Sequence, residues 1–313
     1  MDDDETDLSS LDLRGLSGAE WLAALAKLGE QRGFFEPLGN AHSALFVEDG
    51  DTLLVSFETL PGIRALSDDG APLGLEFVRE LGWSHLALIA SGDTWFRSRQ
   101  VYAFFDQIND DGFFDEFSKV IFYGAGPCGY AAVAYSVSAP GAIVLALQPQ
   151  ATLNPRVADW DPRFAAQRRM NFTHRYGYAP EMMDAAQAGY VLFDPRERLD
   201  AMHAALFAGR NVTHFRLPFM GSALQTDLIE LDLLFPLIRA AADDTLNTAS
   251  FAELLRVRRD HVPYLRRLLA QLETNGRTRL AEMLCTNVVS RLPAPRFHRK
   301  LEALRAAQIA KSG

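Results

Sequence analysis

The segment Lys119-Val-Ile-Phe-Tyr-Gly124-Ala-Gly126-Pro-Cys128-Gly129-Tyr-Ala-Ala limits what this chain can fold into more than any other stretch. The short apolar run Val120 to Tyr123 reads as a buried strand, and the residues from Gly129 onward read as a helix. Glycines and a proline crowd the few positions between them. A chain turns this abruptly from strand to helix where it can use backbone conformations closed to other residues, and where strand and helix approach closely. Such a corner belongs in a sheet whose strands alternate with helices.

The flanking sequence supplies that alternation. Ser17 and Glu20 have capping-box spacing, and Trp21, Leu22, Leu25 and Leu28 form an apolar stripe on a first helix. Strand-like runs follow at Ser43 to Val47 and Thr52 to Phe57, and Asp49-Gly50 between them predicts a hairpin. A short helix at Leu75 to Leu81 precedes a buried strand, His85 to Ala90. The next helix carries Val101, Phe104, Phe105 and Ile108. Past the corner, strands are predicted at Ala142 to Leu147, Gly189 to Phe193 and Val212 to Leu217. An antiparallel opening followed by βαβ alternation predicts a three-layer α/β fold with a mostly parallel sheet.

With 313 residues, 48% of them hydrophobic, the chain can bury one large α/β core or two smaller ones. The net charge of −9 argues against a general nucleic-acid binder. That charge is unevenly spread, because residues 251–313 hold 13 Lys or Arg against 5 Asp or Glu. This basic part reads as helices over 251–259, 262–272, 277–290 and 296–309. Their arginines make either solvated faces or a docking surface for an acidic protein partner. The expected division is an acidic disordered stretch over 1–14, an α/β domain over 15–245 and a basic helical extension over 246–313. Cys128 and Cys285 lie far apart and without metal-site spacing, so neither a disulfide framework nor a metal is expected. The acidic start and the lack of a long apolar run predict a cytoplasmic protein without a membrane span.

The strand–turn–helix layout is also the context of a nucleophile elbow, Gly-x-Ser-x-Gly. The segment from about Trp83 to Leu231 resembles α/β-hydrolase-like proteins, especially bacterial ones whose elbow reads Gly-x-Ser-x-Gly-Gly-Tyr-Ala-Ala. Gly124 and Gly129-Tyr130-Ala131-Ala132 match that pattern. Gly126 stands where the family has serine, and Cys128 stands where it has the next glycine. Leu147 to Pro155 is similar to the loop after the following strand in that group.

The resemblance implies a triad in the order nucleophile, acid, histidine. Asp194 in Phe193-Asp194-Pro195 is the candidate acid, and it is also a good helix start. Where a Gly-His pair would follow, the chain reads Gly221-Ser222, and no histidine occurs between His214 and His261. Cys128, near a helix N-terminus, is the candidate replacement nucleophile, or else a small buried residue in a glycine's place. His85 and His214 fall on strands and read as structural.

Gly124-Ala-Gly126-Pro-Cys-Gly129 is also a literal G-x-G-x-x-G. Pro127 removes an N–H from the turn that would hold a pyrophosphate, and Gln148-Pro149-Gln150 offers no acid to a ribose. Ser91, Asp93 and Trp95 follow a buried strand at the sheet's carboxyl edge. They are candidates for a ligand-binding loop or an oxyanion-hole N–H, beside a plain turn with a cap. The reading is a non-hydrolytic α/β-hydrolase-like protein with no cofactor. It would bind a small molecule or acylated glycan around Gly124, Gly126 and Gly129, or a protein partner through 251–313. The alternatives are an ester hydrolase or acyltransferase rearranged around Cys128, Ser91 or Ser222, and a nucleotide-binding protein.

Overall fold

The computed structural model describes Leu8 and residues 11–312. Residues 1–7, 9 and 10 of the expected disordered stretch lie outside the described residues. Leu13 is buried, and its N–H donates to the Asp69 carbonyl (2.7 Å).

Helix α1 (Gly18–Arg32) starts at Ser17, whose hydroxyl accepts the Glu20 N–H while the Glu20 carboxylate accepts the Ser17 N–H. The chain then runs through β1 (Gly33–Leu38), β2 (His42–Val47), β3 (Thr52–Thr59), α2 (Leu60–Leu66), α3 (Gly74–Leu81) and β4 (Ser84–Ala90). Next come α4 (Arg99–Asp110), β5 (Lys119–Ala125), α5 (Pro127–Tyr135), β6 (Ile143–Leu147), α6 (Pro155–Ala158) and α7 (Ala179–Met182). These are followed by β7 (Ala188–Phe193), α8 (Arg198–Ala204), β8 (Val212–Arg216), α9 (Leu224–Glu230) and α10 (Leu234–Ala242). The last elements are α11 (Thr248–Leu254), α12 (Val262–Thr274), α13 (Thr278–Arg291) and α14 (Pro295–Ser312).

The eight strands form one sheet in the order β1-β2-β4-β3-β5-β6-β7-β8. Pairs β1–β2 and β2–β4 are antiparallel and the rest are parallel. This is the expected three-layer, mostly parallel arrangement. One local expectation fails: Asp49-Gly50 does not close a hairpin between β2 and β3. Strand β4 lies between them, so residues 48–51 must span two inter-strand gaps of about 4.8 Å each. The connection is fixed onto β4 instead, where the Asp49 N–H donates to Ser84 Oγ (2.9 Å) and that hydroxyl donates to the Gly50 carbonyl (2.7 Å). The opening hairpin is β1–β2, and β1 is an edge strand, which is where Pro37 is tolerated.

Alternate residues of each central strand feed opposite faces. Phe122 and Val144 pack with Tyr130 and Tyr135 of α5 and Phe105 of α4. Ile121, Tyr123 and Leu145 pack with Leu228 of α9 and Leu237 and Ile238 of α10. Phe251 and Leu255 join this second cluster, so α11 and the turn after it pack on the sheet domain. A separate small core of Leu265, Leu269, Cys285, Val288 and Phe297 holds α12, α13 and α14 together. No helix among the described residues is long and apolar enough to cross a membrane.

Candidate functional site

Strand β5 ends at Ala125 and α5 starts at Pro127, which leaves Gly126 as the corner. Its φ of 56° and ψ of −124° lie where an L side chain is strained. The Gly126 N–H donates to the Leu147 carbonyl of β6 (2.8 Å), and its own carbonyl accepts the Tyr130 N–H (2.9 Å). A Cβ at Gly126 would meet nothing within 4 Å, whereas one at Gly124 would lie 2.2 Å from the Cys128 carbonyl. Strand and helix are thus pressed together behind the corner, and the space before its apex is open. Gly129 is buried in the first turn of α5. The corner presents no side chain at 126 and no N–H at 127.

A cavity of about 790 Å³ opens beside it, at the carboxyl ends of the parallel strands. Ala125, Pro127 and Cys128 form one side, Glu58 and Thr59 come from the end of β3, and Asp93 and Trp95 come from the loop after β4. Gln225, Leu234 and Phe235 close the far wall from α9 and α10. Cys128 is buried, and burial pushes its thiol up, with the charges of Glu58 and Asp93 adding to the effect. Burial therefore outweighs the helix N-terminus, and the thiolate that a nucleophile needs is disfavoured.

Glu58 is the least expected lining residue. It ends an apolar strand and is half-buried, and burial raises its carboxyl to about 7. Ser56 Oγ donates to Glu58 Oε1 (2.7 Å), and the Leu73 N–H points at both carboxylate oxygens (3.2 and 3.1 Å). His85 Nε2 lies 2.9 Å from Ser56 Oγ. With the hydroxyl proton given to the carboxylate, Nε2 carries the proton and His85 is the donor. Burial holds His85 down to about 3, so the ring is neutral. Sequence reading missed this carboxylate–hydroxyl–imidazole chain. Its one signal was an acid at the carboxyl end of a buried strand.

The loop after β4 is pinned at several points. The Ser91 N–H donates to the Ala41 carbonyl (2.9 Å), and His42 Nε2 lies 2.7 Å from Thr94 Oγ1. Trp95 and Phe96 have φ of 57° and 54°, and the Tyr135 hydroxyl donates to the Phe96 carbonyl (2.6 Å). Ser91 and Asp93 are exposed, and Trp95 is buried.

Asp194 is buried at the end of β7. Its Oδ2 accepts the Gly221 N–H (2.7 Å) and its Oδ1 accepts the Arg196 N–H (2.9 Å). It does not cap α8, whose N-cap is Glu197. Asp194 thus reaches the loop that carries Ser222, but it binds backbone there. Ser222 is exposed, and neither residue lines the cavity. His214 lies on edge strand β8, in a second cavity of about 450 Å³ that Arg216, Arg256 and Arg259 also line.

Asp227, Glu230 and His261 bring ligand-type atoms within 4.8 Å of one another. The Arg267 guanidinium already holds Asp227 Oδ2 at 2.7 Å, and His261 Nε2 faces Oδ1 at 3.3 Å. The Arg267 ion pair balances the buried carboxylate and ties α9 to α12.

The class these features define is the α/β-hydrolase type of fold, an eight-stranded, mostly parallel sheet with a sharp strand-to-helix corner after β5. No protein-family model matches the chain, and no curated protein matches it. Among solved structures, it is similar to Pyrococcus horikoshii acylaminoacyl peptidase at 9% identity, over 64% of this chain and 40% of that one, with a TM-score of 0.41. It is similar to Est1E from Butyrivibrio proteoclasticus at 12% identity, over 66% and 98% of the two chains, with a TM-score of 0.41. A hormone-sensitive lipase from a metagenome library is 14% identical over 74% of this chain and 92% of its own, with a TM-score of 0.42. Likeness at this level carries no substrate and no residue role.

Proposed function

We propose that this chain is a non-hydrolytic ligand-binding protein, whose cavity beside the Gly126 corner takes a small molecule. The corner itself carries the reading. Acyl transfer needs a nucleophile at the apex, and the N–H of the next residue forms half of the oxyanion hole. Gly126 supplies no nucleophile, and Pro127 has no N–H. The other half of an oxyanion hole comes from the loop after the third strand, and there the cavity meets Glu58, whose ionised form would repel an oxyanion. Ser222 is no base, and Asp194 already spends its carboxylate on backbone N–H groups.

Cys128 is the rival, because it lines the cavity. Its raised thiol argues against it as a nucleophile, and among the described residues no histidine is hydrogen-bonded to it. The test is hydrolysis of a panel of acyl esters and thioesters by the full chain, beside Cys128→Ala and Ser222→Ala. No turnover above the uncatalysed rate is expected. Turnover abolished by either substitution would establish a rearranged enzyme and overturn the proposal.

A further inference from the structure

The charge of the cavity narrows what it can hold. Among the described residues, seven carboxylates and a single guanidinium line it. The guanidinium, Arg79, is taken by Asp69 at 2.7 Å. Asp68, Glu76 and Glu80 stand exposed on one side of the mouth, with Asp93 and Asp232 exposed on the others. They act on one another across elements: burial pushes the Glu76 carboxyl up, Arg79 eases it, and Glu80, Asp69 and Asp232 push it further. Glu58 lies deeper, near enough to Cys128 to act on its thiol. Leu73, Ile229, Leu234 and half-buried Phe235 provide apolar wall, and the Phe235 ring stacks on Phe77 with centroids 4.4 Å apart.

We propose that this cavity binds a small organic cation, an alkylammonium or quaternary ammonium compound, with its charge against Glu58 and its apolar body along Leu73, Leu234 and Phe235. This rests on the ligand-binding reading above and names the ligand's class. A rim of one sign over low-dielectric walls concentrates counter-charge and excludes anions. A partly desolvated carboxylate is a strong partner for an ammonium, and the face of an aromatic ring adds to the attraction. The same rim disfavours carboxylates, phosphates and acyl-coenzyme ligands. A cation beside Glu58 stabilises its ionised form, so a protonated Glu58 gives its proton to solvent as the cation binds.

The test is calorimetric titration of the full chain at low salt with choline, butyltrimethylammonium and butylammonium. The controls are 3,3-dimethylbutan-1-ol, which has choline's shape without its charge, and butyrate. At least one cation should bind about tenfold or more tightly than the neutral isostere, and added salt should weaken it. Glu58→Gln should weaken that binding by about tenfold and abolish the proton released on binding below about pH 7. Asp232→Asn, on the exposed rim, should weaken it by a smaller factor and guards against a Glu58 variant that fails to fold. Absent cation binding, equal binding of the neutral isostere or butyrate, or indifference to Glu58→Gln would each overturn the proposal. Tight binding of the neutral compound alone would leave the ligand-binding reading standing. Ester turnover that needs Cys128 would remove that reading instead.

Discussion

Glu58 shows how much one side chain at a strand end can carry. Its carboxyl rises from 4.5 to about 7 in the fold, so the folded chain holds that proton more tightly than the unfolded chain does. The associated stability is present below about pH 4.5 and is lost as pH rises through about 7. Glu58→Gln keeps the carbonyl acceptor and removes the titration. The variant should gain roughly 2–3 kcal/mol over wild type between pH 4.5 and pH 8. Urea denaturation at both pH values measures the gain, and an unchanged difference between the two proteins would refute the burial argument. At the corner, Gly126→Ser meets no neighbour but takes a φ of 56°, which costs about 1–2 kcal/mol. The variant should fold, melt lower and leave a chromogenic acetyl ester intact, because Pro127 still offers no N–H. Ester cleavage by this single variant would mean that the missing donor and base are unnecessary.

At the scale of elements, Asp194 joins the end of β7 to the loop after β8 by accepting the Gly221 and Arg196 N–H groups. Asp194→Ala leaves both donors without an acceptor and should cost about 2–3 kcal/mol, with Asp194→Asn milder. The shift in denaturant midpoint decides it, and a loss below about 0.5 kcal/mol would show that water replaces the carboxylate. The buried strands β4 to β7 were legible in the sequence because unbroken apolar runs bounded by turns admit few other readings. Strand β1 was not, because Gly33-Phe-Phe-Glu-Pro-Leu38 carries a proline and its burial does not alternate. The false hairpin at Asp49-Gly50 has a similar origin: turn chemistry records where a chain bends, and tertiary packing decides which strand it pairs with. The corner at Gly126 was readable because its glycines answer local geometry. The role given to Glu58 was not, since it depends on α9 and α10, more than 150 positions later, closing the other wall.

Across the whole molecule, the sheet domain and the last three helices have separate cores. Arg267 of α12 bridges them by its ion pair with buried Asp227 of α9. Phe297, fully buried in the helical core, should cost about 3–4 kcal/mol on change to alanine. Hydrogen exchange should find the lost protection in 262–312, with β5 and β6 unaffected. Equal loss in the central strands would show that the two cores unfold as one.

The glycine corner bears on what mutation can reach from this sequence. A backbone held at a φ of 56° is most easily met by glycine, so any side chain introduced at 126 is a net loss of stability before it does any chemistry. A working acyl-transfer site would also need a different residue at 127 and a base near 222. A directed-evolution campaign that accepts only improvements, one substitution at a time, would stall at its first step. Selection for tighter ligands meets no such barrier, because the exposed rim of the cavity can change without touching the corner.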